Sequence, residues 1–265
     1  MIAAVPMRTD AAAEEITEDA VLGGRLRVRQ PRRGHRVGHD AILLAAACPA
    51  RAGDSVVDLG AGVGAAGLAL AARVPDVRVT LVEIDGKLAA LAEANARLND
   101  LSERVQAVAL DVAAPARAFA AAGLPAESLA RVLMNPPFND PARQRLSPDR
   151  GRRLAHAAPT SGLAAWVRTA ARLLRPQGTV SLIWRADGVG EVLGALAGAF
   201  GAVTVLPVHP KPQEPAIRVL VRAVKASRAP LELLPGLVLS DQFGRATSDA
   251  EAVLRGGEPL ALARI

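Results

Sequence analysis

The stretch LMNPPFND, Leu133 to Asp140, holds the residues in this chain best suited to chemistry. Pro136 and Pro137 lack backbone N–H groups and have fixed φ angles, so the segment is stiff and leaves its carbonyls to find partners elsewhere. Asn135 adds an amide oxygen and Phe138 a flat apolar face. Together Asn135, Pro136 and Phe138, with Pro137 beside them, describe a clamp for a planar group that carries N–H donors.

A second chemical stretch, VVDLGAGVGAAGLAL, lies upstream. Gly62, Gly64 and Gly67 satisfy a dinucleotide fingerprint, and Glu83 follows at about the 20-residue distance of a ribose-binding acid. The alternative parse is Asp58-x-Gly60-x-Gly62-x-Gly64, with an acid at the strand end. An anionic Asp58 would repel a pyrophosphate but suits the ammonium group of S-adenosylmethionine, which carries no phosphate. In either parse the glycines let backbone approach a ligand closely. Glu83 can accept both ribose hydroxyls. Asp111, ending the stretch VALD, can accept from an adenine amine or simply cap its strand, whereas Asp85 reads as a helix N-cap. With Asn135, four polar side chains then share the carboxyl edge of a sheet, where open α/β folds bind ligands. A dehydrogenase has no use for the proline clamp there, which favours the methyl donor over NAD.

These groups need a frame. From residue 54 onward, apolar β-branched runs alternate with Ala- and Leu-rich helical stretches, the pattern of a parallel sheet covered on both faces. Strands are predicted over 55–59, 78–84, 105–110, 131–134, 179–184 and 203–208, and helices over 64–73, 87–99, 160–174 and 188–199. A last strand, 217–224, follows HPKPQEP, too short and proline-rich for a crossover helix, so it must run antiparallel. The fold class is therefore α/β: a Rossmann-like class I methyltransferase with a seven-stranded, mostly parallel sheet, a terminal antiparallel hairpin and helices on both faces. GGRLRVRQPRRGHRVGHDAILLAAA reads as a hairpin and then a helix from Asp40, its N-cap. SDAEAVLRGG reads as a capping box, Ser248 with Glu251, closed by Gly256 and Gly257. The division expected is a disordered terminus over 1–16 and a single domain over 17–265, with a hairpin and helix extension over 17–50.

The chain of 265 residues is 51% hydrophobic, ample for a core, and has one cysteine, which excludes a disulfide framework or a cysteine-based zinc site. No apolar run approaches the roughly 18 residues of a membrane span, and the start is too acidic for a signal peptide, so a cytoplasmic location is expected. The net charge of +6 makes a polyanionic partner plausible. Arg25, Arg27, Arg29, Arg32, Arg33 and Arg36 crowd one segment; Arg143, Arg145, Arg150, Arg152 and Arg153 crowd another after the clamp. Each cluster is a solvated loop or a phosphate-contacting surface, and their places beside the functional segments favour the latter. His35 and His39 have metal spacing, but Gly34 and Gly38 argue against the helix this needs, so no metal is expected. His209, Lys211 and Arg218 surround the proline-rich hairpin loop as a solvated tip or an RNA contact. Trp166, Trp184 and Cys48 read as core.

Asn135-Pro136-Pro137-Phe138 matches the signature of the S-adenosylmethionine-dependent amino-methyltransferases. QPRRGHRVGHDAILLA (30–45), NPPFND (135–140) and VHPKPQEPAIRVLVRAVK (208–225) together resemble the bacterial N6-adenine tRNA methyltransferases that modify the purine beside the anticodon of tRNA-Val, at position 37. The resemblance implies S-adenosylmethionine as cofactor, held by Asp58, Gly60, Gly62, Gly64, Glu83, Asp111 and, at its methionine end, Asp40. It implies Asn135, Pro136 and Phe138 as catalytic residues, and tRNA as the partner, met by Pro137, Arg33, Arg36, Arg143, Arg145, Lys211 and Arg218. Relatives with the same core methylate rRNA guanines or protein glutamines, and a glutamine amide would fit the clamp. A non-catalytic RNA-binding protein is the reading from a different class, opposed by the intact clamp.

Overall fold

Apolar residues on the central strands alternate between two cores, so the sheet is covered on both faces. Val56, Leu81 and Leu133 pack into one core; Val57, Val82, Val132 and Met134 pack into the other. The computed structural model describes residues 15–33, 36–137 and 162–264. Phe138, Arg143, Arg145, His35 and residues 1–14 lie outside the described residues.

The N-terminal part comprises β1 (Ile16–Val21), β2 (Leu26–Pro31) and α1 (His39–Ala47). The core then runs β3 (Ser55–Leu59), α2 (Ala65–Arg73), β4 (Arg78–Glu83), α3 (Gly86–Leu98), β5 (Val105–Ala109), α4 (Ala116–Ala121) and β6 (Leu129–Met134). Beyond the clamp come α5 (Leu163–Leu173), β7 (Leu174–Arg185), α6 (Val189–Leu196), β8 (Phe200–His209), β9 (Arg218–Lys225), β10 (Glu232–Leu233), β11 (Leu237–Val238) and α7 (Ser248–Leu254). The sheet order is β5-β4-β3-β6-β7-β9-β8, with β10 and β11 both pairing parallel to β8. β9 runs antiparallel to β7 and β8, as the short proline-rich connection requires.

The seven expected strands are present, and two short ones join the β8 edge. Helix α4, which buries Phe119 completely, is additional to the predicted helices. α6 stops at Leu196 rather than 199. Two caps differ from expectation. Gly38 precedes α1, so Asp40 lies in its first turn and is not the cap. Thr247, not Ser248, caps α7, accepting from the Ala250 N–H at 3.1 Å. Asp85 does cap α3, accepting from the Lys87 N–H at 2.8 Å.

The hairpin of β1 and β2 lies over α3. Leu26, Val28 and Gln30 turn inward while Arg25, Arg27 and Arg29 face out. Two asparagines one helical turn apart hold it there. Asn95 accepts from the Arg29 N–H at 2.8 Å and donates to the Arg29 carbonyl at 2.9 Å; Asn99 does the same for Arg27 at 2.8 and 2.7 Å. Asn95 is fully buried and also donates to the Val63 carbonyl in the glycine-rich loop at 3.0 Å. Replacing Asn95 with Ala removes these bonds and leaves buried backbone groups without partners, so it should lower the unfolding free energy by about 2–4 kcal/mol. Asn99→Ala, at a wetter position, should cost less than half as much in urea denaturation. A larger loss for Asn99→Ala would contradict this ranking.

Candidate active site

Strand register decides which polar groups reach the carboxyl edge. Leu59 pairs with Val82 on one side and Met134 on the other, so Gly60, Glu83 and Asn135 stand level at the ends of three adjacent strands. Glu83 and Asn135 flank β3 and are therefore separated by two strand spacings, about 10 Å. This is the scale of a nucleoside laid across the strand ends. Asp111 stands two residues beyond β5, and its carboxylate accepts from the Ala113 N–H at 2.8 Å, forming the strand-end turn.

The glycines of the loop differ in what they permit. A Cβ at Gly60 would collide with the Trp166 ring of α5, and one at Gly67 with Leu81 of β4. One at Gly64 would lie 2.8 Å from Leu81 Cδ1. These three exist for close packing. Gly62 has φ +57° and would meet nothing within 4 Å, so its missing side chain keeps space open over the strand ends. The Gly62 N–H donates to Glu83 Oε2 at 2.8 Å, and the Asp85 N–H donates to Oε1 at 3.0 Å. Glu83 thus ties together the loops after β3 and β4, with a second lone pair left on each oxygen. Beside it Ile84 is 47% exposed, an apolar surface at the strand end that sequence reasoning passed over.

Asp58 sits lower. It pairs with Leu81, two residues short of Glu83, and is only 2% exposed. Its Oδ2 accepts from the Gly67 N–H of α2 at 2.9 Å. Burial pushes its carboxyl up to about 7, the Gly67 bond opposes this, and the Glu83 charge adds to it. The group is therefore a buried strut between β3 and α2, beneath the glycine loop.

Asn135 is half-buried at the end of β6, Pro136 is buried, and Pro137 is half-buried. Among the described residues no backbone amide donates to the Pro136 carbonyl. Asp40 reaches the same edge from α1, but its carboxylate is engaged by Arg218 Nε at 2.9 Å. Arg218, expected at a hairpin tip, is thus half-buried and anchors α1 to β9. Lys211 and Arg33 are exposed.

The N-terminal basic cluster is less cationic than its sequence suggests. Arg27 and Arg29 pair with Glu18, Arg32 with Glu15, and Arg36 with Asp19, at distances of 2.6 to 3.0 Å. Glu18 and Asp19 belong to β1 and Glu15 adjoins it; β1 falls almost wholly within the 17–50 extension, and only Glu15 and Ile16 lie in the stretch 1–16 expected to be disordered. The opposite-charge pattern of the two runs was the available signal. Trp166, Trp184 and Cys48 are buried, and burial raises the Cys48 thiol to about 11. Among the described residues no helix is long and apolar enough to cross a membrane, and no group of three His, Cys, Asp or Glu side chains could hold a metal ion.

Residues 35–211 match the family described as methyltransferase small domain. A tRNA1(Val) (adenine(37)-N6)-methyltransferase of Tolumonas auensis is 33% identical over 175 residues, covering 66% of this chain and 69% of that one. Three relatives so named are matched over 61 to 69% of their own length. A release factor glutamine methyltransferase of Chlorobaculum tepidum is 31% identical over 59% of this chain and 54% of its own. Among solved structures, a predicted O-methyltransferase of Agrobacterium tumefaciens is 32% identical with a TM-score of 0.69, covering 83% of this chain and 97% of that one.

The position of Asp58 generates a pH test. Its ordinary value is 3.8 and its folded value about 7, so between these the folded protein keeps a proton that the unfolded chain has released. The stability this provides is complete below about pH 4, falls as pH rises, and is gone above about pH 7. Asp58→Asn has no such proton. The stability of the unaltered protein relative to Asp58→Asn should therefore decline from about pH 4 to 7 and then level off. Parallel urea-unfolding profiles for the two proteins would rule this out.

Proposed function

The chain belongs to the methyltransferase small domain family, and from that premise we propose that it transfers a methyl group from S-adenosylmethionine to the exocyclic N6 amine of an adenine in tRNA, near the anticodon. The observation that carries the reading is the placing of Asn135-Pro136 at a strand end, level with Gly60 and Glu83. Relatives named for adenine N6 methylation of tRNA support the substrate.

The residues fit the cofactor. Open space over Gly62 admits a ligand against the backbone, and the free lone pairs of Glu83 suit a ribose diol. Ile84 offers an apolar face to the adenine, and Asp111 an acceptor at the edge beyond it. Asp58 acts from below, holding α2 and the loop in register. Asp40, oriented by Arg218, stands toward the methionine end. Bound S-adenosylmethionine supplies an electrophilic methyl group.

The chain's own contribution is positioning. An adenine N6 lone pair is delocalised into the ring and is a poor nucleophile. If the Asn135 side-chain oxygen and the Pro136 carbonyl each accept one N–H, the nitrogen is turned so that its lone pair points away from the ring plane. Phe138 stacks on the base and Pro137 keeps the segment stiff, once the base has left its own stack. No general base is required before attack, because the proton can leave to water when the nitrogen is cationic. Orientation and electrostatics carry the rate. A hydroxyl substrate has one hydrogen to offer and would leave one acceptor unmet, which argues against O-methylation. Arg33 and Lys211, with Arg143 and Arg145 after the clamp, remain candidates for phosphate contact; Arg36 and Arg218 are engaged by acids.

A glutamine side-chain amide has the same two N–H groups, and the similarity to a release factor glutamine methyltransferase keeps that substrate as a second reading. Labelled methyl transfer to total tRNA, rRNA and release factor in parallel, followed by nucleoside analysis, separates them. The expected product is N6-methyladenosine in tRNA alone; label confined to release factor would reverse the choice.

Asn135→Ala should lower turnover by on the order of a hundredfold while leaving S-adenosylhomocysteine binding near normal. Phe138→Ala should also raise the apparent substrate constant, and Phe138→Tyr should largely preserve activity. Normal turnover in a folded Asn135→Ala protein would reduce the motif to a rigid turn. Glu83→Ala should weaken S-adenosylhomocysteine binding by roughly 1.5–3 kcal/mol, measured by calorimetry. Unchanged affinity would remove Glu83 from the cofactor site.

A further inference from the structure

Aromatic residues make up only 2% of this chain, and their placement is uneven. Trp166, Trp184, Phe119 and Phe200 are buried, between 0% and 8% exposed. Phe138 lies outside the described residues. Phe243 alone among the described aromatics faces water, at 76% exposure.

An exposed apolar side chain by itself says little. Phe243 differs in how it is held. It sits at the tip of a five-residue turn built on Asp241, whose Oδ1 accepts from the N–H groups of both Phe243 and Arg245 at 2.9 Å. The Asp241 N–H donates to the Arg245 carbonyl at 2.7 Å, the Gly244 N–H to the Asp241 carbonyl at 3.0 Å, and Ser240 bridges to Ala246 below. Gly244 takes φ +82° to close the turn. The ring is therefore carried on a rigid support, so little conformational entropy is lost when a partner covers it.

The turn also stands on the reactive edge. β11 pairs with Val208 and His209, the Ser240 N–H donates to the Pro210 carbonyl, and the chain then projects past the carboxyl ends of the strands. By sheet order it lies four strands from Asn135, through β7, β9 and β8 to β11, about 19 Å along the edge. Arg245, within the turn, and Lys211, which follows the Pro210 that holds the foot of the turn, are both exposed. At its foot a cavity of about 430 Å³ opens between the β8–β9 loop and β11, lined by His209, Gln213, Glu214, Pro215, Gly236 and Val238.

We propose that Phe243 is a stacking platform for an unpaired base of the substrate RNA, a few nucleotides from the one held at Asn135, with Lys211 and Arg245 taking the adjoining phosphates. This rests on the tRNA reading above and adds a second contact to it. A π face accepts any base, and two cations suit the backbone between. Two contacts on one edge would fix the direction in which the strand crosses the site.

The test uses the full chain with total tRNA as substrate. Phe243→Ala should raise KM for tRNA about tenfold, with kcat within twofold and S-adenosylhomocysteine affinity and melting temperature unchanged. Phe243→Trp should restore KM. A KM for Phe243→Ala within twofold of the unaltered protein would overturn the proposal, and so would equal losses in the Ala and Trp variants, which would assign the effect to the shape of the turn. If the unaltered protein methylates tRNA and KM does not respond, this inference alone fails. If it methylates no tRNA, the substrate reading fails and takes the platform with it.

Discussion

Leu81 occupies the space that side chains at residues 64 and 67 would need, and much of the site depends on that contact. With no Cβ in the way, the first turn of α2 descends onto β4 until the Gly67 N–H reaches Asp58. The loop between β3 and α2 is then gripped from three sides: by Leu81 beneath, by Trp166 against Gly60, and by Asn95 at the Val63 carbonyl. Only Gly62 is left facing open space. Interiors packed to crystal-like density transmit small displacements. A methyl group at residue 67 would lift α2 and move the loop away from Glu83 without touching any ligand.

The strands and the antiparallel end of the sheet were legible because each rests on local signals, apolar β-branched runs and a connection too short for a helix, whereas the strand order comes from the structure. The edge location of Glu83 and Asn135 was legible for the same reason, since each closes an apolar run. The depth of Asp58 was harder to see. It too closes a run, VVDL, but β3 continues to Leu59 before the glycines, and only the register against β4 reveals that its carboxylate lies under the helix. Asp40 and Arg218 are separated by 178 positions, so no window of sequence contains their ion pair. The role of Trp166 toward Gly60 is hidden likewise, because an apolar helix pattern says which face is buried but not against what.

Charge was the least transferable of the sequence signals. The excess of basic residues is real, yet exposed pairs between β2 and the β1 strand locally cancel much of the cluster that stands out in the primary structure. Such pairs contribute little to stability. Their effect is to offset much of the positive charge of that hairpin, whereas Lys211, Arg245 and Phe243 stand exposed toward the carboxyl edge.

The asparagine ladder on α3 has a consequence for the chain's behaviour among its own copies. A two-stranded hairpin has two edges, and the backbone groups of Arg27 and Arg29 that point away from β1 are the kind that recruit a further strand from another molecule. In this protein both are already taken by side-chain amides of Asn95 and Asn99, so a helix serves where a third strand would otherwise sit. The amide side chains close that margin against intermolecular sheet growth. They do so alongside Pro31, which ends β2, and without lengthening the sheet.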